Sequence, residues 1–236
     1  MKKTFVVVAA LLGMAARAAA HDFWIEKKGG AFFVVSGHEG KWDPYEPSRI
    51  KEVHAYGVTG RDVAPAVKRE KDIVSIEAGK NVAAVTVFMD NKFWVSSTDG
   101  WKNITKREAQ KQSLQILETG ESYKYGKYIE AWSNRFSKPL GTKMEVVPLA
   151  NPLALKAGDI LSVQVLLDGK PLENASVSTG GAHAEVGKTD KDGVARVVVG
   201  KVGRNLVSAS TKVPYRDNPD ADGLYLKATL AFVATR

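Results

Sequence analysis

Residues 160–167 read ILSVQVLL, and Asp168-Gly169 follow them directly. An apolar, β-branched run of this length is typical of a strand, and an Asp-Gly pair is a strong turn signal. Four further runs of the same kind follow along the chain, at 175–179, 194–199, 206–213 and 224–233. At least five strands within about ninety residues have the spacing of an immunoglobulin-like sandwich.

Toward the N-terminus the runs are shorter, but they are still separated by Gly, Asn, Asp and Pro. They lie at 31–35, 50–58, 73–76, 82–89 and 121–132. One segment differs: Thr105 to Leu117 is rich in helix formers and opens with residues that cap helices. Pro139 and Gly141 lie in a polar stretch that suits a domain boundary. The sequence thus predicts a mainly β chain of two β-sandwich domains, 21–140 and 141–236. The C-terminal domain is expected to be immunoglobulin-like, and the N-terminal one to carry one short helix.

The first twenty residues have the pattern of a secretory signal peptide. Lys2 and Lys3 precede an apolar run, and Ala18-Ala19-Ala20 has the small residues that a signal peptidase requires. The alternative is an uncleaved anchor, but the apolar run is shorter than the roughly 20 residues that span a bilayer. We therefore expect a periplasmic protein that does not span the membrane after cleavage.

Composition excludes several classes of function. The chain of 236 residues has no cysteine, so disulfides, thiolate zinc sites and cysteine nucleophiles are ruled out. The net charge of +8 falls by three when residues 1–20 leave, and the basic residues that remain are scattered among acidic ones. We therefore expect no nucleic-acid partner. No Ser-His-Asp arrangement or nucleotide-binding glycine pattern stands out, and we expect no enzyme.

Cleavage after Ala20 would make His21 the first residue of the mature chain. A free α-amine has a pKa of about 7.7–8 and can lose its proton to a metal ion. The amine and the imidazole Nδ1 can then chelate one ion. Neutral nitrogen donors of this kind favour copper, nickel, cobalt and zinc over calcium or magnesium. The alternative is a frayed terminus, against which the strand-like residues 22–25 argue.

Three other histidines are candidate ligands. His38 follows the first clear strand between two glycines, which allow an ion to approach closely. His54 shares a strand face with Glu52 and Tyr56 by alternation, although a surface histidine or a hydrogen-bonded core histidine is the more ordinary explanation. His183 follows Gly180-Gly181-Ala182 in an expected loop. The predicted metal site therefore combines His21 with His38, and His54 or His183 would complete it.

The chain resembles the DUF4198 proteins, a family described as the periplasmic component of cobalt and nickel uptake systems. The motifs that carry the resemblance are His21-Asp22-Phe23-Trp24-Ile25, Gly37-His38, Phe93-Trp94-Val95-Ser96-Ser97, Tyr128-Ile129-Glu130-Ala131-Trp132, Glu145-Val146-Val147-Pro148-Leu149 with Asn151-Pro152, Leu167 to Leu172 and Thr189 to Gly193. The resemblance implies an accessory protein that binds nickel or cobalt beside a membrane metal permease. His21 and His38 match the family's histidine pattern.

Two other functions fit the same residues. One is copper binding, since an N-terminal histidine binds copper more tightly than it binds nickel. The bound copper could serve in a copper-binding protein, or in an enzyme that oxidises polysaccharide and would need a flat aromatic surface. A structural or adhesive module without any metal is the third alternative, since regular sandwiches with Asp-Gly turns often bind only proteins or glycans.

Overall fold

A computed structural model describes residues 22–38, 40–59, 62–180 and 185–234. The elements in chain order are β1 (Asp22–Lys28), β2 (Ala31–His38), β3 (Lys41–Trp42), the 3-10 helix η1 (Pro47–Arg49), β4 (Ile50–Gly57), β5 (Asp62–Val63), β6 (Ala66–Arg69), β7 (Val74–Glu77), β8 (Val82–Ser97), β9 (Gly100–Lys102), α1 (Lys106–Lys111), β10 (Ile116–Ile129), η2 (Asn134–Ser137), β11 (Met144–Pro148), η3 (Pro152–Ala154), β12 (Ile160–Leu167), β13 (Lys170–Pro171), β14 (Ser176–Thr179), β15 (Glu185–Lys188), β16 (Val194–Val198), β17 (Gly203–Pro214) and β18 (Gly223–Ala234).

Over the described ranges these strands form three sheets. The front sheet has the order β1-β2-β7-β6, with β3 paired to β2. The central sheet has the order β15-β14-β17-β18-β10-β8-β4-β5, with β9 paired to β8. The back sheet has the order β11-β12-β13, with β16 paired to β12.

The front sheet packs on one face of the central sheet. Phe23 and Ile25 of β1 lie over Gly126 of β10, where a Cβ atom would come within 3.3 Å of the Phe23 ring. The side chains that fill this interface include Phe23, Trp24, Ile25, Phe32, Val34, Val74, Ile76, Val85, Val87, Met89 and Tyr128. Each large apolar side chain that is fully buried in this way contributes about 1.5–3 kcal/mol.

The back sheet packs on the opposite face. Because successive strand residues point to opposite faces, Lys127 points away from the front sheet, and its Nζ donates to Glu145 of β11. The apolar side chains of this second interface include Met144, Val146, Leu161, Val163, Val165, Val177, Val207, Leu226, Ala228, Leu230 and Phe232. The central sheet is therefore the middle layer of three.

The last described strand completes the middle of the central sheet. β18 pairs in parallel with β10, from Glu121 with Leu224 to Ile129 with Phe232. Strands on either side of residue 140 are thus joined by backbone hydrogen bonds. The division into domains at 140 and 141 stays a prediction, but the two stretches share one sheet.

The mainly β class, the face-to-face packing of sheets and the short helix are confirmed. The back sheet packs against β14, β17 and β18 of the central sheet, and together they form the sandwich of two sheets predicted for the C-terminal part. The helix is shorter than expected, since α1 covers Lys106–Lys111 and Ile116 already belongs to β10. Thr105 caps it, accepting from the Glu108 N–H while the Glu108 carboxylate accepts from the Thr105 N–H. Within the described ranges no helix is long and apolar enough to cross a bilayer.

Candidate functional site

The β1–β2 ladder brings the start of β1 to the end of β2. Asp22 pairs with Gly37, and His38 is the last residue of β2. The chain then folds back, so that His38 pairs with Lys41 of β3. Gly37 has a φ of +149°, and a Cβ atom there would lie 2.2 Å from the Lys41 carbonyl oxygen. Only glycine allows so tight a turn, which holds His38 at this edge of the front sheet.

Asp22 is anchored to the central sheet. Its side chain is buried, and Lys227 of β18 donates to its Oδ1. Thr229, two residues further along the same strand, donates to the backbone oxygen of Phe23 at 2.7 Å. A buried carboxylate is stable only when it is paired and hydrogen-bonded, so this contact holds the first described residues of β1 against the central sheet. The expectation that residues 22–25 form a strand is confirmed.

A second buried cation lies beside this ion pair. Lys124 of β10 pairs with Lys227 in the parallel ladder, and its side chain is buried. Burial lowers the pKa of Lys124 to about 7; the nearby charges of Lys227 and Arg49 lower it as well, while Asp22 opposes them. The amine therefore exchanges its proton near neutrality instead of in the alkaline range usual for lysine.

His54 lies on the other side of the central sheet from His38. It is half exposed on β4, with Nε2 3.8 Å from a carboxylate oxygen of Glu52 and its ring centroid 6.5 Å from that of Tyr56. All three line a polar pocket with Arg135 of η2, as their predicted common face requires. Tyr56 packs in the interface with the back sheet, whereas Ala55 packs toward the front sheet. A layer of sheet thus separates His54 from His38, and the structure does not bring them together.

Two predicted ligands, His21 and His183, lie outside the described residues. Among the residues that the structure does describe, no group of three or more His, Cys, Asp or Glu side chains is arranged to hold a metal ion. Of the predicted ligands the structure describes His38 and His54, which lie on opposite sides of the central sheet; it also describes Asp22, the residue that follows His21.

The buried lysines of β10 are not among the site residues that the sequence predicts. Lys124 and Lys127 lie in the middle of β10, whose residues 124–129 are all buried. The signal was present, because residues 122–129 read SYKYGKYI, and a lysine inside an aromatic strand must either reach an edge or find a carboxylate. Lys127 meets Glu145, and Lys124 lies beside Asp22 and Lys227.

Residues 18–213 match the model of the family described as "Domain of unknown function (DUF4198)". No curated protein matches the sequence. Among solved structures, the D0-D1 domain of Intimin aligns with 90% of this chain and 98% of its own length, at 15% identity. Its TM-score of 0.24 is too low to indicate a shared fold.

The family match begins before β1 and ends within β17, so it includes strands of all three sheets. Because it extends over well over half of the sequence, the chain belongs to the DUF4198 family.

Proposed function

We propose that the protein is a periplasmic, non-enzymatic metal-binding protein that captures nickel or cobalt and passes it to a membrane permease. Export rests on the expected cleavage after Ala20. The choice of nickel or cobalt rests on the resemblance set out above. The metal site itself rests on residues at the start of β1 and the end of β2.

The observation that carries the proposal is the pairing of Asp22 with Gly37. The peptide bond keeps the Cα atom of residue 21 about 3.8 Å from that of Asp22. His38 is likewise joined by one peptide bond to Gly37, the partner of Asp22, and lies at the same end of the ladder. A residue joined directly to Asp22 needs little movement to reach His38, which supports the proposal that His21 and His38 bind one ion. The ion pair of Asp22 with Lys227 holds the connecting residue in place.

The donor set suits a metal that is carried and released. The α-amine and imidazole of His21 and the imidazole of His38 would provide three neutral nitrogens. Three protein ligands leave room for water or a receiving ligand in the remaining positions. Such donors favour late first-row transition metals over magnesium and calcium.

The test is calorimetric titration of the mature chain, with its N-terminus confirmed by mass spectrometry, against Ni²⁺ and Co²⁺. We expect His21→Ala and His38→Ala each to weaken binding by about tenfold or more. A variant with one glycine added before His21 keeps both imidazoles and loses only the terminal amine of His21, so it should weaken binding as well. His54→Ala is the matched control and should bind as the unaltered protein does.

Equal affinity in His21→Ala and in the unaltered protein would refute the proposal. Failure of the purified protein to retain any transition metal would favour the structural or adhesive module instead. Copper generally binds such donors more tightly than nickel, so affinity alone does not identify the carried ion. Growth of a deletion strain under nickel limitation and under copper limitation separates the two cargoes.

A further inference from the structure

Three aromatic rings lie on the same face of the central sheet as the front sheet, next to the start of β1. Tyr225 precedes Lys227 by two residues on β18 and therefore points to the same face. Trp94 of β8 meets Tyr225 edge-on, with ring centroids 4.9 Å apart. Trp101 of β9 stacks on Trp94 at 4.4 Å, with an angle of 29° between the rings. We call Trp94, Trp101 and Tyr225 the aromatic platform.

The platform rests directly on backbone. A Cβ atom at Gly120 of β10 would lie 2.5 Å from Tyr225 Cδ2 and 2.7 Å from Trp94 Cζ2. The absence of a side chain at Gly120 is thus what lets both rings lie against the strand. Trp101 is held by the pairing of its backbone with Ser96. The rings are ordered before any ligand arrives, so binding loses little conformational entropy.

An ion pair lies at the border of the platform. Glu118 accepts hydrogen bonds from the Tyr225 hydroxyl and, at 3.0 Å, from the Lys212 ammonium. That ammonium also lies 4.8 Å from the centroid of the Tyr225 ring. The carboxylate and the ammonium are both about half exposed, so they can still bind a ligand at the edge of the rings.

We propose that the aromatic platform binds an uncharged glycan chain. A pyranose ring presents a flat face of C–H groups that packs on an indole, while its hydroxyls donate to and accept from groups at the border. Trp101 is 53% exposed and offers the open ring face. The ion pair of Glu118 with Lys212 supplies an acceptor and a donor for sugar hydroxyls, and its two charges offset each other.

The size of the surface argues against a protein partner. An aromatic side chain buries about 150–250 Å² at most, and all three rings are already partly covered by one another. A protein interface of standard size buries about 800 Å² on each partner, which is more than three rings that cover one another can offer. A single sugar chain has the right dimensions for three adjacent rings. The platform shares no residue with the proposed metal site, so its binding does not depend on a metal.

The test is titration of the mature protein with chitohexaose and, separately, cellohexaose, followed by calorimetry and tryptophan fluorescence. The two arms distinguish a chain of N-acetylglucosamine from a chain of glucose. We expect a dissociation constant of about 1 mM or below for at least one of them. Trp101→Ala should weaken binding by about tenfold or more, and Trp101→Phe should weaken it less, because an aromatic face remains.

Trp42→Ala is the matched control, because Trp42 is also exposed (41%) but belongs to the front sheet. It should bind both sugars as the unaltered protein does. The proposal is overturned by no response to either sugar at about 10 mM, or by equal affinity in a folded Trp101→Ala variant. A concentration-dependent dimer that Trp101→Ala abolishes would also overturn it and would assign the platform to a second copy of the chain.

Discussion

Lys127 and Glu145 form a buried ion pair between the central and back sheets, with side chains only 3% and 2% exposed. The Glu145 carboxylate also accepts from the backbone N–H groups of Leu140 and Gly141. One carboxylate thus fixes the connection that leads into β11 and satisfies a lysine from the middle of the molecule.

Breaking this pair on one side should be severely destabilising. Glu145→Gln leaves the Lys127 ammonium buried without its counter-charge, and such losses are about 3–5 kcal/mol. Urea denaturation followed by tryptophan fluorescence measures the change. The double variant Lys127→Met, Glu145→Gln should recover part of that loss, since neither position then carries a buried charge.

The control is an exposed ion pair: Glu77→Gln removes the charged partner of Lys68 and should cause no measurable change in stability. A single variant as stable as its parent would show that the pair does not matter.

Lys124 should make the free energy of unfolding rise with pH. Burial lowers its pKa to about 7 in the folded protein from 10.5 in the unfolded chain. Between these values the unfolded chain binds more protons, so raising the pH favours folding, by about 1.4 kcal/mol for each pKa unit of the difference. The effect is complete above pH 10.5 and absent below pH 7.

The comparison of Lys124→Met with the unaltered protein isolates this effect. The variant should be the more stable protein at pH 7, and its advantage should shrink as the pH approaches 10. Denaturant unfolding at intervals of one pH unit measures both curves. Parallel curves over this range would contradict the assignment of the low pKa to Lys124.

Asp22→Asn should loosen the start of β1. The substitution keeps the shape of the side chain but leaves Lys227 without the carboxylate that pairs with it, with an expected loss of about 3 kcal/mol. Hydrogen exchange should show reduced protection at the Trp24 amide, which lies opposite Val35 in the β1–β2 ladder, before the central sheet opens. Asp168→Asn is the matched control, because the pair of Asp168 with Lys143 is exposed and should contribute little. Unchanged protection in Asp22→Asn would mean that packing alone holds β1.

Gly37→Ala should distort the turn after β2. The new methyl group would lie 2.2 Å from the Lys41 carbonyl oxygen, so the backbone has to move. We expect a loss of about 2 kcal/mol or more. Gly40→Ala also meets a positive φ, +83°, but has no atom within 4 Å, and should lose only about 1 kcal/mol. Equal losses would show that space at Gly37 is not limiting. Thermal unfolding of the two variants compares them.

Local pattern predicted the strands well where the hydrophobic run is unbroken. The strand expected at Ile160–Leu167 has those bounds. The strand that begins at Val82 was predicted to end at Met89 but runs to Ser97. Asp90-Asn91-Lys92 reads as a turn in the sequence, yet the strand continues through it with a shift in register, and Lys92 has a φ of +66°. A bulge and a turn use the same residue types, so sequence does not distinguish them.

The layered arrangement was beyond sequence reasoning for a different reason. The partner of β10 lies about a hundred residues later in the chain, and no local pattern specifies which distant strand completes a sheet. The same limit applies to the candidate sites. The position of His38 at a strand end followed from its neighbours, whereas the platform depends on Gly120 lying under rings from two other strands.

The parallel pairing of Glu121–Ile129 with Leu224–Phe232 also determines when the molecule can become stable. When synthesis has only just passed β10, the strand that pairs with one of its edges, β18, does not yet exist. That edge of β10 stays unpaired until nearly all of the remaining chain has been synthesised. An unpaired edge of this kind favours slow folding and aggregation with other incomplete chains. Shortening the chain from its far end should therefore expose the middle layer itself, and not merely remove a peripheral segment.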